Sequence, residues 1–217
     1  MWQTDFSEFE TTGGGIWRVC AVIDYATKYC LAVTVTAADA VACIDLAVTE
    51  AQRIIELGDL RSDRGVMDVV DDTDTVIGQA PAPIALVSDN GPCFRIHTFA
   101  DLFTGDDPLL RHVRTRIRIR SPQTNGVIER FFGTLKYEHL YRGIISDGDA
   151  LDMEVHRYRH IYNAIRPHQA LSNRTPSEAY RDRAGNNAWH RQGTPPGSAE
   201  SGDHLLDSKG MIPDHAR

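Results

Sequence analysis

The sequence lacks any long apolar run. The longest stretch without a charged side chain covers residues 75–88 and contains Gly78, Pro81 and Pro83, which excludes a membrane-spanning helix of about 20 apolar residues. The first residues also lack the positive and apolar regions of a signal peptide, and acidic side chains lie there instead. With 217 residues, 41% of them hydrophobic, the chain is expected to be a soluble globular protein of the cytoplasm.

Cysteine is scarce, with four residues in the chain. Cys20, Cys30, Cys43 and Cys93 lie among apolar neighbours, and no two of them form a CxxC pair. This pattern predicts buried thiols in a reducing compartment and argues against a disulfide framework or a zinc site.

Positive charge is in the minority, since 23 Lys and Arg residues face 30 Asp and Glu residues and give a formal net charge of −7. The two signs are segregated along the chain. The charged residues of segment 56–74 are mostly acidic, and those of segment 111–142 are mostly basic. Because a phosphate backbone responds to the local basic surface, the acidic total does not exclude DNA as a partner. A solvated charged face is the alternative explanation of the basic segment.

The first half of the chain has the spacing of a sheet followed by a helix. Segments 16–24 and 28–36 are rich in β-branched residues and predict a hairpin, with the opening segment 2–6 as a third strand. Apolar residues at intervals of three and four predict an amphipathic helix over 38–57. The acidic segment 58–80 is expected to be a long loop, and residues 84–87 a buried strand.

Residues 113–120 alternate between apolar or small residues and arginine, which predicts a half-buried strand. Its basic side comprises Arg114, Arg116, Arg118 and Arg120. From residue 127 the spacing becomes helical, a second helix is expected over about 148–165, and Thr175 begins a capping box for a short last helix. Beyond residue 184 the composition predicts a disordered tail.

Three carboxylates occupy positions where folding does not require them. Asp5 lies in the first strand, Asp89 ends the buried strand, and Glu129 lies in the first turn of the helix after residue 125. Strand ends and a helix start can converge at one edge of a mixed sheet, where three carboxylates would repel one another without a cation between them. Mg²⁺ binds carboxylates together with phosphate oxygens, so such a cluster suits phosphate chemistry. Taken singly, each residue also fits an ordinary turn, strand or helix-start position.

The residues around these carboxylates resemble a known family. The segments WQTDF, SDNGP and SPQTNGVIERFFGTLKYE, followed by YNAIRPHQAL and TPSEAY, are similar to the catalytic core of insertion-sequence transposases of the retroviral integrase superfamily. The resemblance covers about residues 2–182. It implies an α/β, ribonuclease H-like fold, with a mixed five-stranded sheet flanked by helices and extra C-terminal helices.

The resemblance also implies a domain organisation. Residues 1–145 would form the integrase-like core, with 58–80 as an acidic loop insertion. Residues 146–183 would form a C-terminal helical extension, and residues 184–217 the disordered tail.

On this resemblance, Asp5, Asp89 and Glu129 match a catalytic triad that binds two Mg²⁺ ions, with Mn²⁺ as a substitute. The implied chemistry is phosphodiester hydrolysis followed by strand transfer, in which the protein aligns the reacting groups. The DNA backbone would be held by Lys136, Arg130 and the arginine row 114, 116, 118 and 120. A solvent-exposed edge strand protected by charge is the alternative role for that row.

The implied partners are DNA, as element ends and target duplex, and further copies of the chain on that DNA. A nucleoid-associated location in the cytoplasm follows from these partners.

Three departures from the family pattern stand out. Asp89 and Glu129 are separated by 39 residues, a few more than is common, and the acidic segment is long. The short lead before Asp5 leaves no room for a helix-turn-helix domain, so a partner polypeptide or a lost N-terminal domain is expected to recognise element ends.

Two competing functions stay open from the sequence. A ribonuclease or junction nuclease would use the same fold, and a truncated, non-catalytic remnant would only bind DNA or full-length transposase.

Weaker candidates for a metal site are His156 and His160, four residues apart on a helix, and the acidic turn 71–74. We expect the histidines to be a solvent-exposed pair and the turn to be solvated, because each lacks the remaining ligands of a metal site.

Overall fold

A computed structural model describes residues 1–36, 40–55, 66–70, 72–89, 91–104, 109–114 and 126–191. Its centre is a five-stranded mixed sheet in the order β3-β2-β1-β6-β7. The strands of this sheet are β1 (Trp2–Glu10), β2 (Ile16–Asp24), β3 (Cys30–Thr36), β6 (Ile84–Ser88) and β7 (Leu110–Arg114). β1, β2 and β3 are antiparallel neighbours, whereas β6 runs parallel to both β1 and β7.

The helices cover both faces of this sheet. They are α1 (Ala40–Ile55), α2 (His97–Asp101), α3 (Gly126–Thr134), α4 (Gly148–His160) and α5 (Pro176–Arg191). Wide π-helical turns extend α3 over Leu135–His139 and α4 over Ile161–Ile165. No helix in the described part of the chain is long and apolar enough to cross a membrane.

Two hydrophobic cores result, one on each side of the sheet. The first packs α1, α2 and α5 against one face and includes Ile44 and Leu86, while the second packs α3 and α4 against the other and includes Phe131 and Leu151. These four side chains are fully buried, and burial of a side chain of this size contributes about 1.5–3 kcal/mol. The expected ribonuclease H-like arrangement, a mixed five-stranded sheet between helices, is therefore confirmed.

The hairpin β2–β3 and the third strand are confirmed, and β1 is longer than expected. It pairs with β2 along its whole length, from Trp2 opposite Asp24 to Glu10 opposite Ile16. Gly14 and Gly15 adopt φ values of +91° and +98° in the connecting turn, a backbone region that favours glycine. The glycine-rich turn thus brings nine residues, rather than five, into the central sheet.

The outer edge of β3 is covered by side chains from the end of α4. Asn163 accepts a hydrogen bond from the Cys30 N–H through Oδ1 and donates one to the Cys30 carbonyl through Nδ2, both 2.9 Å long. Arg159 donates to the carbonyl oxygens of Cys30 and Leu31 at 2.9 and 2.6 Å. The backbone groups that an edge strand normally exposes are therefore paired here.

The acidic segment 58–80 is not simply a loop. Its described residues form a separate two-stranded antiparallel sheet of β4 (Val66–Val70) and β5 (Val76–Pro81). The acidic residues concentrate in the turn between two runs of β-branched residues, and Asp74 adopts φ +59° there. The charge of the segment obscured the strand propensity of its flanks.

Two further boundaries differ from expectation. Strand β7 begins at Leu110, three residues before the predicted start, because Leu110 is buried in the first core and pairs with Ile84. The predicted strand residues 115–120 lie outside the described residues. Helix α5 continues to Arg191, so residues 184–191 are helical and not disordered. Propagation from a capped start outweighs the weak helix formers at Gly185 and Asn186.

The capping box at Thr175 is confirmed. The Glu178 carboxylate accepts hydrogen bonds from the Thr175 N–H and hydroxyl at 2.8 and 3.0 Å, and Thr175 Oγ1 accepts one from the Glu178 N–H at 3.3 Å. Cys20, Cys30 and Cys43 are buried as expected, whereas Cys93 is only half-buried. His156 and His160 are exposed, and His156 lies 3.6 Å from Asp152.

Candidate active site

The start of α3 is attached to β1 by a buried hydrogen bond. Gln3 is fully buried, and its Oε1 accepts a hydrogen bond from the Ile128 N–H at 3.1 Å. This N–H belongs to the first turn of the helix, where backbone donors have no partner within the helix. The side chain of Gln3 therefore caps α3 and holds Glu129, the next residue, beside the central strand.

Asp5 lies on the same face of β1 as Gln3. Trp2 and Phe6 pack in the first core, whereas Gln3 and Phe9 face the side of α3. Successive side chains of a strand alternate between its faces, which places Asp5 on the α3 side.

Asp89 lies at the level of Asp5 on the neighbouring strand. The parallel register pairs Trp2 with Leu86 and Gln3 with Val87, so Asp5 and Asp89 are each two residues beyond the last pair. Neighbouring strands are about 4.8 Å apart, so this register, extended one residue past the end of β6, sets Asp89 beside Asp5. Asp89 directly follows the end of β6, and two carboxylates thus occupy one edge beneath α3.

Short hydrogen bonds fix the two aspartates locally. Asp5 Oδ1 accepts from the Phe6 N–H at 2.7 Å, and Asp89 Oδ1 accepts from the Gly91 N–H at 2.8 Å. A Cβ atom at Gly91 would lie 2.9 Å from this same oxygen, so a larger residue there would displace the Asp89 carboxylate.

The strand end below Asp89 is fixed by a second set of contacts. Ser88 Oγ donates to the Asp89 carbonyl at 2.9 Å and lies 2.7 Å from His112 Nε2 on β7. The ring of His112 packs against Phe99 and Phe103, with ring centroids 4.8 and 5.2 Å away. Sequence reasoning missed Gln3, Ser88 and His112, because only the pairing of distant segments gives them a role.

The three carboxylates are differently exposed. Asp5 and Asp89 are half-buried, and Glu129 is exposed on α3. Among the residues that the structure describes, no three His, Cys, Asp or Glu side chains lie close enough together to hold a metal ion. The fold thus brings the two aspartates to one edge and the glutamate to the helix above it, without gathering all three into a closed site.

The helix beyond Glu129 departs from ideal geometry. Lys136 lies seven residues beyond Glu129, a spacing that keeps two side chains on one face only in an uninterrupted α-helix. The wide turn Leu135–His139 begins just before Lys136, so the spacing rule of an α-helix does not extend to it. Lys136 is half-buried, and its contact with DNA stays a prediction.

The arginine row is described at its first member. The backbone of Arg114 pairs with Ser88 at the end of β7, beside the strand end that precedes Asp89. Arg116, Arg118 and Arg120 lie outside the described residues, so their role stays a prediction. Arg130 is exposed on α3, next to Glu129.

A cleft of about 810 Å³ opens beside α3. Its walls come from the β2–β3 turn, from α3 and from the segment after α4, and they include Tyr25, Lys28, Arg130, Tyr162, Arg166 and His168. Sequence reasoning noted the segment YNAIRPHQAL without giving its basic residues a role.

Residues 113–176 match the integrase core domain family. The putative transposase InsD for insertion element IS2E of Escherichia coli strain K12 is 32% identical over 108 residues, which cover 48% of this chain and 46% of that protein. The transposase InsD for insertion element IS2D of the same strain has the same identity over 48% of this chain and 34% of its own length. The chain therefore spans less than half of the curated relatives it matches.

Solved structures share the fold at lower identity. A chain of the simian T-cell lymphotropic virus intasome in complex with PP2A regulatory subunit B56 gamma superimposes with a TM-score of 0.55 at 18% identity, over 82% of this chain and 53% of that one. The HTLV-2 integrase catalytic core domain in complex with magnesium gives 0.52 at 15% identity, over 82% and 94%. These likenesses establish the fold.

Proposed function

We propose that this chain is a transposase-type catalytic core of the retroviral integrase superfamily and that it catalyses phosphodiester hydrolysis and strand transfer on DNA. Asp5, Asp89 and Glu129 are the proposed catalytic carboxylates. The observation that carries the assignment is the register of the parallel strands β1 and β6, which leads to Asp5 within β1 and to Asp89 directly after β6, together with the attachment of α3 to β1 by Gln3. An edge of this kind, at the ends of neighbouring strands, is where α/β sheets bind their ligands.

The proposed cofactor is a pair of Mg²⁺ ions, which Mn²⁺ could replace. Asp5, Asp89 and Glu129 would hold them, since the donors are carboxylate oxygens, the type that hard divalent cations prefer. Bound ions would supply charge neutralisation at the reacting phosphate. An integrase core of the same fold, that of HTLV-2, has been solved in complex with magnesium, which supports this choice. Closing the site requires the exposed Glu129 side chain to turn towards the aspartates.

The remaining residues position the substrate. Arg130 and Lys136 on and beyond α3, with the arginine row 114, 116, 118 and 120, are proposed to hold the DNA backbone. Contacts of this kind fix the register of a duplex without reading its sequence. Recognition of element ends by a helix-turn-helix segment, self-association on DNA and location at the nucleoid stay predictions.

Metal-dependent cleavage of a labelled DNA oligonucleotide tests the assignment. Asp89→Asn and Glu129→Gln should each lower the cleavage rate by about 10²-fold or more, because each removes a carboxylate that would hold the Mg²⁺ ions that neutralise the reacting phosphate. The matched control is Glu8→Gln, an exposed carboxylate of β1 that pairs with Arg18 at 3.2 Å and should cleave like the parent protein. Unchanged cleavage by either site variant would show that the assignment is wrong.

Two further results separate the competing functions. Joining of a donor 3′-hydroxyl to a second duplex distinguishes a strand-transferase from a ribonuclease or junction nuclease. A parent protein that binds DNA but does not cleave it, and that gives no heat of binding in a calorimetric titration with Mg²⁺, would be a non-catalytic remnant.

A further inference from the structure

The cleft beside α3 is lined by cationic side chains from three separate parts of the chain. Lys28 comes from the β2–β3 turn, Arg130 from α3, and Arg166 from the segment after α4. The intervening wall carries the rings of Tyr25 and Tyr162, so the cleft combines positive charge with flat apolar surface. With a volume of about 810 Å³, it is large enough for a nucleotide-sized group.

Lys28 is held in place by its own turn. It adopts φ +62°, its Nζ donates to the Tyr25 carbonyl at 2.6 Å, and the ammonium lies 4.5 Å from the centre of the Tyr25 ring. Arg130 is exposed and has no hydrogen-bond acceptor within reach among the described residues. The cleft therefore presents one fixed and one available cation.

The acidic groups near the cleft are already engaged. Asp24, beside Lys28, forms an ion pair with Arg183 at 3.1 Å and accepts two hydrogen bonds from Thr27. Glu138 binds Arg166 through two hydrogen bonds, one of them 3.0 Å long. Asp24 thus attracts Lys28 electrostatically, but neither Lys28 nor Arg130 forms an ion pair with a carboxylate among the described residues.

The positive charges that line the cleft repel one another. Burial lowers the pKa of Lys28, and the neighbouring charge of Arg130 lowers it further, against the opposite effect of Asp24. Burial likewise lowers the pKa of His168, and Arg166 and Lys28 act in the same direction. His168 Nε2 is buried without a hydrogen-bond partner in the described part of the chain. An anion placed between Lys28 and Arg130 would relieve this repulsion.

The cleft and Glu129 lie on neighbouring flanks of one helix. Gly126, Val127, Arg130 and Thr134 line the cleft, while Glu129 lies about 100° around the helix from Arg130. A helix is about 10–12 Å across, so a DNA strand that passes the edge near Glu129 can also reach the cleft.

We propose that this cleft binds a phosphodiester of the DNA strand that flanks the reacting phosphate, with Lys28 and Arg130 as its ligands and Arg166 as a third, anchored cation. The proposal rests on the proposed function for the identity of its ligand. The tyrosine rings provide the surface for the attached sugar or base.

The test is DNA binding by the full chain, measured by fluorescence anisotropy on a labelled duplex at several salt concentrations without added metal. Lys28→Asn removes the charge and keeps the backbone, since asparagine tolerates positive φ. This variant should make the negative slope of log affinity against log salt shallower by about 0.9, the value for one lost phosphate contact. Lys28→Arg retains a cation and should retain the slope.

A double variant sharpens the test. The proposal has Lys28 and Arg130 share one phosphate, so Lys28→Asn combined with Arg130→Gln should make the negative slope shallower by about 0.9. A change of about twice that value would show two separate phosphates and contradict a shared one. The control is Arg157→Gln, an exposed arginine of α4 that pairs with Glu154 and should leave the slope unchanged. An equal loss in this control would show a general charge effect and overturn the proposal.

Failure of this proposal is distinguishable from failure of the proposed function. Parent-like affinity and slope for Lys28→Asn, in a protein whose cleavage still depends on Asp89, would overturn the cleft alone. Loss of binding in Lys28→Asn, in a protein whose cleavage is indifferent to Asp89→Asn, would keep the cleft as a DNA site and overturn the catalytic assignment.

Discussion

The side chain of Gln3 and the backbone of Ile128 are joined by a hydrogen bond across 125 positions of the chain. Gln3 lies in the first strand and Ile128 in the first turn of the helix that carries Glu129. One buried contact therefore fixes the distance between the strand of Asp5 and the helix of Glu129.

Gln3→Ala should destabilise the protein by about 1–3 kcal/mol, because it leaves the buried Ile128 N–H without an acceptor. Urea unfolding measures the free energy, and amide hydrogen exchange at Ile128 locates the effect. The control is Gln79→Ala, since Gln79 is exposed and its side chain donates a hydrogen bond to Asp68 across the β4–β5 hairpin. Unchanged exchange at Ile128 would show that the hydrogen bond does not hold the helix.

Gly91→Ala should displace the Asp89 carboxylate, because the new Cβ would lie 2.9 Å from Oδ1. We expect the rate of metal-dependent DNA cleavage to fall by about 10-fold or more while unfolding changes little, since a small displacement of an aligned group is costly to catalysis. Gly78→Ala is the matched control, because nothing lies within 4 Å of its added Cβ. Equal cleavage rates for the two variants would contradict the expected displacement.

Asn163→Ala should lower the free energy of unfolding by about 1–3 kcal/mol, because the buried Cys30 N–H loses its acceptor. Arg159 still satisfies the Cys30 carbonyl, so the loss should come mainly from the N–H. Thermal or urea unfolding measures the change. Gln52→Ala, at an exposed position of α1, should be neutral, and an equal loss there would point to a general effect of truncation.

Glu50 makes stability depend on acid pH. Burial alone would raise its pKa, but hydrogen bonds from Arg53 and Tyr29 and the charge of Arg159 lower the pKa from 4.5 to about 2. A lowered pKa in the folded state gives stability that is present above about pH 4.5 and is lost as the pH falls towards 2. We expect a loss of roughly 1–2 kcal/mol over this range, after allowance for solvent screening.

Unfolding measured across this pH range tests the role of Glu50. Glu50→Gln should lower stability at pH 7 and reduce its dependence on pH between 4.5 and 2. The comparison is Asp45→Asn, an exposed carboxylate of the same helix. An unaltered pH profile in Glu50→Gln would show that the cluster with Tyr29, Arg53 and Arg159 contributes nothing to acid stability.

Local patterns predicted much of the fold. The β-branched residues of β2, the spacing of Ile44 and Ala51 in α1 and the capping box of Thr175 are each readable within a few residues. The site was approached through the same local signals, which selected Asp5, Asp89 and Glu129 as candidates.

Other features depend on contacts between distant segments and could not be predicted. The cap by Gln3, the link from Ser88 to His112 and the covering of Cys30 by Asn163 join residues that the sequence separates. The β4–β5 hairpin was expected to be a loop, because the acidic residues in its turn indicated a solvated segment. The wide turn after Thr134 interrupts the α-helical spacing between Glu129 and Lys136, so the two residues need not lie on one face.

The pairing of Cys30 with Asn163 and Arg159 covers the start of β3 at the border of the sheet. A copy of the chain that approached this part of the border would meet amide and guanidinium groups where it needs vacant backbone donors and acceptors. The first residues of β3 are therefore closed to strand addition by a neighbouring molecule.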